Sequence, residues 1–277
     1  MVTATVENIT KGLAEKYLET NTANYRKLSP SKVDQYAREM EQDLWETNYE
    51  PIHFNEDGVL VNGQHRLEAI RISGKAQVML VVRGIKRDVV VFDIGKARTI
   101  GDISKAQGLE LRSAVAGAVG ILMNGFNASS HYGKNELIHY YLTHDYALFD
   151  RAYLISGRGA QSVIMKKSGC MAAIYCALKL KVINEEDAET FAIICNSGIP
   201  KEGVTSYAPL QLRKTLQNGF RNENGTILSP GAQGRQPTFE CTWQAIVGFV
   251  KGNKPQRIYK PDGNGMKVVE KVRNLND

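Results

Sequence analysis

GVLVNGQHRLEAIRISGKAQVMLVVRGI, residues 58–85, is the stretch whose reading decides the fold. Val59, Leu60 and Val61 run into Asn62-Gly63, a sharp-turn dipeptide, and a helical pattern begins at Gln64 and stops at Gly74. QVMLVVRGI, 77–85, is the strongest strand signal in the chain, a consecutive apolar run suited to burial on both faces. Strand, turn, helix, turn and strand are predicted, with Gln64, His65 and Arg66 at the mouth of the helix. That end carries unpaired backbone N–H groups and partial positive charge, so acidic residues are its usual occupants. A permanently charged guanidinium there is unfavourable unless an anion sits nearby, and a phosphate group resolves the conflict. Asn62, Gly63, Gln64, His65 and Arg66 are therefore a candidate phosphate-binding turn. Gly63 lets a ligand approach the backbone, and His65 can donate to it or shuttle a proton. The bland alternative is a plain turn, with His65 and Arg66 facing water or pairing with Glu68 or Glu50; spacing alone leaves the two even.

Toward the N-terminus, residues 9–19 read as a short helix and LSPSKVDQYAREMEQDLW, 28–45, as a clearer one. Ser29 can cap it, Pro30 suits its first position, and Val33, Tyr36, Ala37, Met40 and Leu44 recur at helical spacing. PIHF, 51–54, and VLV, 59–61, are short strands around the turn residues NEDG. DVVVFDI, 88–94, fits either a strand or the start of a helix. Beyond Gly95 the period is helical over 99–107, 111–124, 134–148, 168–182, 185–195, 206–218 and 239–251. Residues 124–133 and 222–237 have loop composition, the second long and mobile in expectation. The predicted class is α+β: an α/β domain with a small mixed sheet over 1–100, a mainly α-helical domain over 101–260, and a polar, flexible tail over 261–277.

With 277 residues and 43% hydrophobic content, the chain can bury a sizeable core without disulfides or metal. Cys170, Cys176, Cys195 and Cys241 show neither a C-x-x-C pair nor zinc-like spacing, which reads as buried reduced thiols. The opening MVTATVENITKGLAEKYLET lacks the pattern of a signal peptide, and no run approaches the roughly 20 apolar residues of a membrane span. A cytoplasmic protein without membrane partners is expected. Lys plus Arg number 35 against 29 for Asp plus Glu, a balance that tilts toward an anionic partner.

The residues from Arg26 to Ile85 resemble the ParB/sulfiredoxin-like superfamily. The shared order is an arginine (Arg26), a helix (SKVDQYAREMEQDLW), EPIHF, then GVLVNGQHRLEAI with its G-x-x-R helix, SGK and VMLVVRGI. Relatives carry G-E-R-R, G-C-H-R or G-H-H-R where this chain has Gly63-Gln64-His65-Arg66. The resemblance implies that this turn, with Arg26, grips nucleotide phosphates, and that a nucleotide (ATP or CTP) and Mg²⁺ are the cofactors. Sulfiredoxin chemistry needs a thiol at position 64, where this chain has Gln64. A finer likeness is to the phage and prophage branch labelled ParB-like nuclease domain, which pairs GQHRL with a D-x-G-x-x-R-T segment; that origin would place the protein in the host cytoplasm. Here the segment is Asp93-Ile94-Gly95-Lys96-Ala97-Arg98-Thr99. Thr99 can cap a helix beside Arg98, offering a second phosphate site, and Asp93 is either a general base or metal ligand or, more simply, an Asx turn into Gly95.

TIGDISKAQGLELRSAVAGAVGIL, 99–122, has helix–turn–helix spacing, but the small apolar second half favours a helical hairpin over DNA recognition. Near the end Lys251, Lys254, Arg257 and Lys260 surround Tyr259, a pattern suited to a phosphate backbone and a stacked base, or simply to a solvated face, as are Lys166 and Lys167. Three functions follow. The first is a nucleotide-dependent enzyme hydrolysing or transferring a phosphoryl group on or near DNA, with His65, Arg66 and Asp93 catalytic and Glu50, Glu68, Asp93 or Asp102 holding Mg²⁺. The second is a metal-dependent DNA nuclease. The third is a non-enzymatic DNA- or protein-binding adaptor with a sensing pocket. Nucleotide, DNA and a second copy of the chain are the partners these readings imply.

Overall fold

The computed structural model describes residues 1–21, 27–47, 50–86, 100, 104, 109, 111–126, 132–159, 164–228, 233–252 and 259–275. The chain divides into two units: Met1–Arg98 with His131–Glu136, and Thr99–Ser130 with Leu137–Asp277. The class is α+β, with a small mixed sheet in the first unit and eleven helices of described bounds in the chain.

The first unit is built on β1 (Thr3–Ile9), β2 (Ile52–Asn55), β3 (Leu60–Asn62) and β4 (Gln77–Ile85), in the order β1-β4-β2-β3. β1 runs antiparallel to β4, from Thr3 opposite Arg83 to Ile9 opposite Gln77. β2 runs parallel to β4, and β3 returns antiparallel to β2. β1 is absent from the sequence reading. In TATVENI only Ile9 is buried, so no row of apolar residues marks its inner face. The expectation that β4 is buried on both faces is corrected. Met79 and Val81 share the covered face, whereas Val78 and, on β1, Val6 point to the other face and are 50% and 70% exposed.

Three helices complete this core. α1 (Lys11–Glu19) starts where Leu13 N–H donates to Thr10 Oγ1 at 3.3 Å. α2 (Pro30–Glu41) has Ser29 at its N-cap and Pro30 in its first turn, as predicted, although the Ser29 side chain makes no capping bond. α3 (Gln64–Ser73) ends at Gly74, whose φ of 67° is the left-handed stop anticipated from sequence. Both α1 and α2 pack on α3. On the covered face Arg83 bonds Glu7 at 2.5 Å and Tyr17 Oη at 2.6 Å, tying β4 to β1 and α1.

The second unit centres on α7 (Ser168–Lys179), buried without interruption from Gly169 to Ala177. A helix apolar all round belongs inside, and α4 (Ser113–Asn124), α6 (Tyr146–Ser156) and α10 (Arg235–Val250) enclose this one. α4 buries Val115, Ala116, Ala118, Val119, Ile121 and Leu122, so its apolar face belongs to this core rather than to a DNA groove. α5 (Lys134–Thr143), whose first three residues are grouped with the first unit, α8 (Glu185–Ser197), α9 (Ala208–Asn218) and α11 (Gly265–Arg273) complete the set. The segment predicted as one helix over 134–148 breaks at Asp145, whose φ is 50°, and α6 starts afresh at Tyr146. α10 begins at Arg235 rather than 239, because Pro237 sits in the first turn, where its missing N–H is harmless. The flexible tail is likewise corrected: 265–273 is helical and buries Val268, Val269 and Val272. All four cysteines are free and buried, and burial pushes the Cys170 thiol up to about 11. No helix among the described residues is long and apolar enough to cross a membrane.

Candidate functional site

The turn between β3 and α3 is shaped by Gly63. Its φ of 108° lies in the left-handed region, and a Cβ there would overlap Ile52 Cδ1 and lie 3.3 Å from Ile52 Cγ2. The missing side chain thus accommodates β2 from within the fold, where the sequence reading gave it to a ligand. Asn62, the last residue of β3, pairs with His53. α3 then opens with no acidic residue in its first turn and no side-chain capping bond among the described residues.

Arg66 differs most from expectation. It is 8% exposed, and its guanidinium donates to the main-chain carbonyl oxygens of Glu50 and, at 2.9 Å, Pro51. The conflict between a cation and a helix N-terminus is met by two carbonyl dipoles that fix the approach to β2. Its charge is felt nearby: burial, and then Arg66, push the His53 imidazole below its usual range. His65 Nε2 accepts the Ser29 N–H at 3.0 Å, which requires the tautomer with its proton on Nδ1 and ties α3 to the start of α2. Gln64 is buried, and its Oε1 accepts from Asn21 Nδ2 at 3.1 Å. Asn21 Oδ1 is buried beside it, without a hydrogen-bond partner among the described residues. Sequence reasoning missed Asn21, since no spacing rule links it to a turn 43 residues away.

Asn62, Gly63, Gln64, His65 and Arg66 thus form one turn at the start of α3, where no acidic residue occupies the first turn. Arg26, Asp93, Arg98, Thr99 and Asp102 lie outside the described residues, as do Lys254 and Arg257. Lys251 ends α10 and is exposed, as is Lys260. Tyr259 is not an open stacking platform. It packs against the helical core with its hydroxyl buried, and burial raises that hydroxyl to about 12. Of the carboxylates considered for Mg²⁺, Glu68 pairs with Arg71 at 2.6 Å. No group of three or more His, Cys, Asp or Glu side chains among the described residues is placed to hold a metal. Compared with known proteins, the chain matches no family model, no curated protein and no solved structure.

Proposed function

We propose that the first unit is a phosphate-binding module of the ParB/sulfiredoxin-like, phage type, which takes a nucleotide (ATP or CTP) or a nucleic-acid phosphate at the start of α3. The observation that carries this is Asn21 Oδ1, buried beside Gln64 and without a hydrogen-bond partner among the described residues. A buried acceptor without a donor is unfavourable, and a nucleotide supplies what the site lacks. Its phosphate oxygens meet the first-turn amides of α3, and a hydroxyl or amino group meets Asn21. Arg66 adds positive potential and positions the turn through Glu50 and Pro51, a role distinct from direct phosphate contact. Because the His65 Nε2 lone pair already holds Ser29, the ring suits donation from Nδ1 better than base catalysis. That favours binding or sensing over phosphoryl transfer. Mg²⁺, where present, would travel with the triphosphate, since no carboxylate here is assigned to it.

Calorimetric titration with ATP and CTP, with and without Mg²⁺, tests the reading on wild type and Asn21→Ala. Wild type is expected to bind one of them, and loss of the Asn21 bond to weaken it about tenfold. Absence of binding by either nucleotide and by an oligonucleotide, or equal affinity in Asn21→Ala, would overturn it.

A further inference from the structure

The two edges of the first unit's sheet are built differently. β3, at one edge, is three residues long, and its pairing with β2 shifts register between His53 and Phe54. Short length and irregular register are devices that keep an edge from pairing with another chain. β1, at the other edge, has neither. It runs for seven residues, Thr3–Ile9, contains no lysine or proline, and keeps continuous register with β4 throughout. Thr3, Ala4, Thr5, Val6 and Asn8 are exposed, and the edge away from β4 meets no strand among the described residues. A strand so placed presents a row of main-chain N–H and C=O groups, a template for a further strand.

The side chains suit the same occupant. On the outer face Ala4, Val6 and Asn8 lie opposite Val82, Leu80 and Val78 of β4. The strip along this edge is thus mostly apolar, with Val6 70% and Val78 50% exposed. Glu7, the one charged residue of β1, lies on the covered face, where Arg83 binds it at 2.5 Å. Its charge is compensated within the unit. The first unit as a whole has equal numbers of acidic and basic residues, so two copies of it meet without net repulsion.

We propose that β1 is a self-association edge, to which a second copy of the chain adds its own β1 antiparallel across a two-fold axis. The two four-stranded sheets then join into one. Full overlap of the strands sets Val6 opposite the partner's Val6, Thr5 opposite the partner's Glu7 and Ala4 opposite the partner's Asn8. Each residue keeps its face in that register, so the apolar strip continues across the axis and no like charges stand directly opposite.

The test uses the full chain without nucleotide, which separates it from the reading of α3. Sedimentation velocity over about 1–100 μM is expected to show a concentration-dependent dimer. Val6→Lys sets two ammonium groups opposite each other at the axis and is expected to weaken dimerisation about tenfold or more. Val6 is exposed, and thermal melting checks that the variant is folded. Register is read by oxidising two cysteine variants, since the four native thiols are buried. Val6→Cys is expected to give a disulfide-linked dimer, because directly opposed residues bring their Cβ atoms to about 4.5–5.5 Å. Val78→Cys, on the same face but one strand in from the edge, is expected to stay unlinked. A chain that remains monomeric throughout overturns the proposal and leaves the edge to a strand of another protein. Dimers that Val6→Lys leaves intact, or equal cross-linking at positions 6 and 78, overturn it as well.

Discussion

At Gly63 two constraints coincide, a left-handed φ and the flank of Ile52. Gly63→Ala is expected to lower unfolding free energy by about 2–4 kcal/mol in denaturant titration, and unchanged stability would contradict the packing described. Arg66→Lys keeps the charge but cannot fork onto two carbonyl oxygens, and a loss of about 1.5–3 kcal/mol is expected by the same measurement. Glu39 gives a pH signature. Burial raises its carboxyl, with the Glu136 carboxylate adding to the effect, while the Gln35 hydrogen bond, Lys32 and Arg38 pull it down. A raised folded value means the native state holds the proton more tightly, so stability declines as pH rises above the ordinary carboxylate range. Glu39→Gln, which can still accept from Gln35, is expected to raise Tm near about pH 7 and to leave it unchanged near about pH 4. An equal shift at both pH values would exclude this origin. The need for glycine at 63 and the electrostatic tension at Arg66 were legible in the sequence. Their resolution was not, because it lies in Ile52, Glu50 and Pro51, whose proximity only the folded β2 creates.

Among the elements, α3 and β4 could be read because a turn dipeptide, a stopping glycine and a dense apolar run coincide with them. β1 was invisible because the face it shares with Ile9 otherwise carries Thr3, Thr5 and Glu7, which gives no apolar period there, and its pairing with β4 supplies what the pattern lacks. α11 was obscured by its polar surroundings, and its anchor is remote. Glu240 of α10 accepts the N–H groups of Asp262 and Gly263 at 3.0 Å and that of Gly265 at 3.1 Å, holding the start of α11 in a ring of amides around a buried carboxylate. Glu240→Ala leaves those amides unsatisfied. Faster hydrogen exchange across 262–273 is expected, with a loss of about 2–3 kcal/mol. Unaltered exchange there would show that Val268, Val269 and Val272 suffice to hold the helix.

For the molecule as a whole, the change from mixed to helical period after Gly95 was plain in the sequence. The grouping of His131–Glu136 with the first unit was not. It depends on Arg38 meeting Glu136 at 3.1 Å and on Asn135 donating to the Leu44 carbonyl oxygen at 3.2 Å, contacts that bridge 98 and 91 residues. The net charge of +6 lies entirely in the second unit, since the first has equal numbers of acidic and basic residues, and it does not say where an anion binds. Amide chemical-shift mapping of the full chain during titration with Mg²⁺–CTP or Mg²⁺–ATP locates that site most directly. The account predicts that the N–H resonances of Gly63, Gln64 and His65 move most. Shifts that leave those three in place, whether clustered elsewhere or absent altogether, would contradict a phosphate site at the start of α3.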